Sequence, residues 1–116
     1  MKYQSNRKFR IWHYIVSHST LIIRSEKQYE DVEYPVKYDP NCTLDIELSG
    51  VEFISLPDSF DGLKIRKEEN GIYRFNENTE YYVKASSCRI GVSQFDHTQD
   101  RISDSSLKYD EILMSI

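Results

Sequence analysis

The sequence predicts an all-β fold, an antiparallel sandwich or barrel of about 8–10 short strands. Three observations predict it. The run Phe9–Ser25, FRIWHYIVSHSTLIIRS, sets two segments of β-branched and aromatic residues around the polar Ser17-His18-Ser19-Thr20; this is the pattern of a β-hairpin. Thr43–Ser49, TLDIELS, alternates apolar and polar residues without error, as a half-buried antiparallel strand does. Turn chemistry then recurs at roughly 8–12-residue intervals, the spacing of sandwiches and barrels. A βαβ arrangement is disfavoured, because no helical pattern of useful length stands between the strands.

The elements follow in order. Sheet begins near residue 9 with the hairpin, and the basic cluster Arg7-Lys8 with Arg10 reads as a solvated N-terminal edge. Alternation groups His13 with Phe9, Ile11 and Ile15, and places Trp12 and Tyr14 on the opposite face. The stretch 26–42 is polar and Tyr-rich and holds Pro35 and Pro40. Proline cannot donate to a ladder, so this is an edge strand or an extended loop. In Thr43–Ser49, Leu44, Ile46 and Leu48 face inward, and Thr43, Asp45, Glu47 and Ser49 face water. Gly50 is either a bulge or half of a tight turn with Ser49. Val51–Leu56 is a strand that Pro57 ends, and Pro57–Gly62 has turn chemistry.

Leu63–Lys67 is a short strand. It leads through Glu68-Glu69-Asn70-Gly71 into Ile72–Phe75, and Asn-Gly between two such runs is a strong hairpin signal. Asn76–Thr79 is a further turn. Glu80–Ala85 is a strand that sends Tyr81 and Tyr82 to opposite faces, and Ser87–Phe95 is another, with Cys88, Ile90 and Val92 on one side. Asp96–Ser106 is a polar loop of unusual length, and such loops are sometimes functional. Leu107–Ile116 is a last strand or a short C-terminal helix, since Tyr109, Ile112 and Leu113 also fit helical spacing.

Composition bounds the rest. A chain of 116 residues is one domain, 1–116, large enough to bury a core without staples. Nine Tyr, five Phe and one Trp supply that core with large side chains. Fifteen Lys and Arg stand against nineteen Asp and Glu, a net charge of −4. With no basic footprint, nucleic acid is not an expected partner. No apolar run spans a membrane and no signal-peptide pattern opens the chain. Only Cys42 and Cys88 are present. The expected location is the cytoplasm with reduced thiols, and whether the two cysteines pair stays open.

Candidate chemistry is sparse. His13, His18 and His97 show no metal-binding spacing, so no metal or cofactor is expected. Ser17-His18 puts a hydroxyl beside an imidazole, but a nucleophile also needs an orienting carboxylate and an oxyanion hole. Cys88 with His97 is as weak, because Cys88 lies on an amphipathic strand where thiols are inert. Asp96, Asp100 and Asp104 are evenly spaced without matching a calcium loop. The residues best placed to touch a partner are Trp12, Tyr14 and His18 near the hairpin, Tyr29, Tyr34 and Tyr38 in the proline segment, and Asp96, His97, Asp100 and Asp104 in the long loop.

The pattern F-x-I-W-x-Y-x-V-S-H-x-x-L-I-I-R-S resembles the opening hairpin of small bacterial all-β proteins that lack an assigned function, and the later GVEFISLP is similar in style. Some cytoplasmic immunity proteins of contact-dependent toxin systems share this size, architecture and acidic charge. That resemblance implies a non-catalytic inhibitor steered toward a basic toxin domain, and it carries no site residue across.

The expected function is therefore a non-catalytic interaction module whose partner is a protein. Two alternatives are a small-ligand or carbohydrate binder with a pocket lined by Trp12 and tyrosines, and a metal-dependent or Ser/Cys hydrolase. A two-fold homodimer through a sheet edge is also open.

Overall fold

The computed structural model describes residues 2–25, 43–93, 109 and 111–116. Within them run nine strands: β1 (Lys2–Ile15), β2 (Thr20–Ser25), β3 (Thr43–Ser49), β4 (Phe53–Ser55), β5 (Ser59–Lys67), β6 (Ile72–Phe75), β7 (Tyr82–Lys84), β8 (Ser87–Ser93) and β9 (Glu111–Ser115). They form one antiparallel sheet in the order β4-β7-β6-β5-β1-β2-β3-β8-β9, which does not close into a barrel. The fold is all-β, as the sequence predicts. Of the predicted C-terminal stretch, Glu111–Ser115 is a strand and not a helix. Met114 and Ile112 pair with Ile90 and Gly91, and the Ile116 N–H donates to the Cys88 carbonyl. A ladder partner decides what a short apolar period leaves ambiguous.

β1 departs most from expectation. It starts at Lys2, because the polar run Lys2–Ser5 pairs with Arg66–Leu63 of β5; pairing overrides weak propensity here. β1 is consequently an interior strand, and Arg7 is not a solvated edge residue but fully buried. Its Nη1 lies 3.5 Å from the Ser25 hydroxyl. Two irregularities bend the strand. One, between Ser5 and Lys8, lies against β5 at Gly62, whose φ is +81°. The other, between Ile11 and His13, leaves Trp12 as the extra residue against β2. A bulge shifts the alternation by one residue. His13 is therefore opposite Ile22 and Tyr14 opposite Leu21, which undoes the faces read from strict alternation.

The remaining turns follow local chemistry. Asn70 and Gly71 both take left-handed backbone, at φ +62° and +74°, between β5 and β6. Asn76 and Glu77, both at φ +53°, reverse the chain after β6, with Asn78 N–H donating to the Phe75 carbonyl. β5 begins at Ser59, inside the predicted Pro57–Gly62 turn, because Ser59, Phe60 and Asp61 find partners in Arg10, Phe9 and Lys8. The segments flanking edge strand β4 are tied to the first hairpin: Val51 N–H donates to the Ser19 carbonyl and Ile11 N–H to the Asp58 carbonyl, both at 2.9 Å.

The sheet wraps its apolar face around one core. Phe9, Leu21, Ile23, Leu44, Ile46, Leu48, Phe60, Leu63, Ile65, Phe75, Val83 and Ile90 are among its members. Phe60 stacks on Phe75 at 5.7 Å and meets Tyr81 edge-on at 6.2 Å. The Tyr73 hydroxyl donates to the Ile116 carbonyl at 3.0 Å, joining β6 to the chain end beyond β9 across the core. On β3, Leu44, Ile46 and Leu48 enter this core as predicted, but Thr43, Asp45 and Glu47 are buried too. The expected wet face of β3 is covered, and ion pairs and hydrogen bonds compensate its charges. Among the described residues, no helix is long and apolar enough to cross a membrane.

Candidate functional site

Two constellations stand out, both on the side of the sheet away from the core. The first is a buried charge network on β1, β2, β3 and β8. Register builds it, because Arg24 is the direct cross-strand partner of Asp45, and Glu47 of Arg89. Opposite charges facing across a ladder stabilise a sheet. Arg24 donates Nε to Asp45 Oδ1 at 2.7 Å and Nη2 to Oδ2 at 2.8 Å. Arg89 donates Nε and Nη2 to Glu47 Oε1 at 3.2 and 3.0 Å. The Tyr109 hydroxyl bridges the two acids, at 3.1 Å from Asp45 Oδ2 and 3.0 Å from Glu47 Oε2. Its ring lies beneath the Arg89 guanidinium at 5.6 Å, and the Trp12 ring takes Arg24 at 5.1 Å.

Electrostatics here follow from burial. Desolvation pushes the Asp45 carboxyl up, and the Arg24 guanidinium and then the Tyr109 hydroxyl oppose it. Desolvation and the two neighbouring carboxylates push the Tyr109 phenol up, so it remains a hydrogen-bond donor. Asp45 and Arg24 are each only 1% exposed, so a substrate has no approach to that pair.

The second constellation is solvent-facing, on β4, β7, β6 and β5. Ile54 packs against the core, which turns Phe53 outward, where it is 52% exposed. Phe53 stacks on Tyr82 with centroids 5.4 Å apart and planes 14° from parallel. The Arg74 guanidinium lies over Tyr82 at 5.4 Å. Glu68 holds Arg74 through Nε at 3.2 Å and Nη2 at 2.9 Å, and Arg66 through Nη2 at 2.9 Å. These bonds hold the Glu68 carboxyl below the ordinary glutamate range, Arg74 contributing most. Lys84 pairs with Glu52 at 3.6 Å.

Of the residues expected to touch a partner, Trp12 is half-buried beneath Arg24, Tyr14 is 40% exposed, and His18 is exposed in the short 3-10 turn Val16–His18. His18 Nδ1 lies 3.1 Å from the Ser17 hydroxyl, and the Thr20 hydroxyl donates to the His18 carbonyl; this is turn chemistry. Tyr29, Tyr34, Tyr38, Asp96, His97, Asp100 and Asp104 lie outside the described residues, as does Cys42. Cys88 is a free, buried thiol, pushed up to about 12 by burial and then by the Glu47 charge. Such a thiol is the opposite of an activated nucleophile. Among the described residues, no group of three or more His, Cys, Asp or Glu side chains could hold a metal ion.

Sequence reasoning missed Phe53, Tyr82, Arg66 and Arg74 as a joint surface. The available signal was the inward pair Ile54 and Leu56, which fixes Phe53 on the other face. A polar cleft of about 280 Å³ lies beside the first β1 bulge, lined by Gln4, Ser5, Asn6, Asp61, Gly62, Lys64 and Asn76 among others. Neither Trp12 nor a tyrosine lines it. No family model matches this sequence, and neither curated proteins nor solved structures give a significant match.

Proposed function

We propose that this chain is a non-catalytic interaction module that binds another protein in the cytoplasm. The observation that carries the reading is Phe53, an aromatic ring half open to solvent and stacked on a second ring. Aromatic residues beside arginine are the side chains that anchor protein interfaces. The contrast with the charge network supports it: the Arg24–Asp45 pair is sealed, while the aromatic surface is open.

The immunity-type form of this reading depends on the acidic net charge. That charge is concentrated in 26–42, with five acids against two lysines, and in 94–110, with four against two basic residues. Steering toward a basic domain would act through those segments.

The test is capture from a lysate of the native cell, at low and at moderate salt, with the tagged wild-type chain beside a Phe53→Ser variant. A stoichiometric protein held by wild type supports the reading, and an empty result at low salt sinks it.

A further inference from the structure

We propose that the outer face of β4, β7, β6 and β5 docks an acidic protein segment that carries an apolar anchor. This deepens the interaction reading above and rests on it. The face is built by register. Lys2 pairs with Arg66, Arg66 with Arg74, Arg74 with Tyr82, and Tyr82 with Ser55. Three cations therefore stand in one row across neighbouring strands, at steps of about 4.8 Å. In the adjacent row Lys84 pairs with Phe53.

Like charges directly opposite each other destabilise a sheet. Here one carboxylate, Glu68, serves both Arg66 and Arg74. Counting Lys2, Lys64, Arg66, Arg74 and Lys84 against Glu52, Asp61, Glu68 and Glu77, the face keeps a surplus of one positive charge, although the whole chain is at −4. Arg66 and Lys84 are about half exposed, at 48% and 47%. Phe53 stands among them.

The chemistry that complements this face is negative charge alternating with an apolar side chain. An extended acidic segment supplies both. Its carboxylates meet Arg66 and Lys84, and one aromatic or aliphatic residue covers Phe53. Single-stranded nucleic acid fits less well. Tyr82 has Phe53 against it and the Arg74 guanidinium over its ring, so it offers a base no open face to stack on.

The test is an NMR titration of the full chain with three probes at 50 mM salt: a twelve-residue Glu/Phe peptide, its Lys/Phe counterpart, and a twelve-nucleotide oligothymidylate. The expected result is that only the acidic peptide shifts the amides of Phe53, Tyr82, Arg74 and Arg66. Its affinity should fall at least fivefold in 300 mM salt, and at least fivefold in Phe53→Ser and in Arg66→Gln. Unshifted Phe9, Ile46 and Ile90 amides show that the variants stay folded. Shifts confined to other faces, stronger binding of the basic peptide or the oligonucleotide, or no shift at millimolar peptide overturns the proposal. If lysate capture returns a stoichiometric partner that Phe53→Ser and Arg66→Gln still hold, the interaction reading stands and this docking face does not.

Discussion

Arg24 grips Asp45 through two parallel bonds of 2.7 and 2.8 Å where both side chains are closed to solvent. Such a fork-to-fork pair is the strong form of an ion pair. Its strength in place and its net worth are separate quantities, because taking both charges from water offsets much of their attraction.

The two quantities separate in a mutant cycle. Arg24→Met takes the bidentate cation from buried Asp45, and Asp45→Leu takes the cross-strand anion from Arg24. Each single change should cost about 3–5 kcal/mol, while the double change should recover most of that loss. Urea unfolding of the four proteins measures it. A single variant losing less than about 1 kcal/mol would show that neighbouring groups of the network replace the missing partner.

Much of this fold was legible from one strand's pattern, and the network was not, for one physical reason. Leu44, Ile46 and Leu48 report their burial through alternation alone. Asp45 and Glu47 read as solvent-facing by the same rule, since nothing local to TLDIELS shows that Arg24 and Arg89 stand opposite them. Those partners are 21 and 42 residues away in sequence, and only the register supplies them. The Trp12 bulge is similar. Alternation is faithful until one inserted residue reverses it, and the insertion is defined by β2. Phe53 was within reach, because Ile54 and Leu56 set its face.

Cys88 supplies a second prediction. Its thiol is buried and pushed up to about 12, so at pH 8 almost none is thiolate. In a Cys42→Ser background, where Cys88 is the sole thiol, a disulfide reagent should label the native protein only as fast as it opens. Labelling should accelerate with urea in step with unfolding. Rapid modification without urea would contradict the burial of this strand face.

Glu68 predicts a pH response. Its carboxyl lies below the ordinary value of 4.5, so the folded state favours the charged form. The contribution to stability is present above the unfolded value and is lost as pH falls through the depressed folded one. Carbon-detected titration should place Glu68 below the ordinary glutamate value. Arg74→Gln should raise it toward 4.5 more than Arg66→Gln does, because Arg74 makes two of the three guanidinium bonds to Glu68. An equal effect of both substitutions would mean that general charge, not the specific bonds, sets the shift.

Gly91 and Tyr109 make the last prediction. A Cβ at Gly91 would lie 2.5 Å from Tyr109 Cγ, so the ring rests directly on bare backbone. Gly91→Ala must displace the ring and, with it, the hydroxyl that bridges Asp45 and Glu47. The overpacking and the lost bonds together should cost about 2–4 kcal/mol. Tyr109→Phe keeps the ring and removes only the bridge, so it should cost less, about 1–2 kcal/mol. The two sites share one contact, so their effects should not add: Gly91→Ala placed in Tyr109→Ala should be nearly silent. Thermal and urea unfolding of these variants measure the coupling. Full additivity would show that the glycine serves the strand backbone rather than the ring, and that the phenol reaches the two acids without its seat on Gly91.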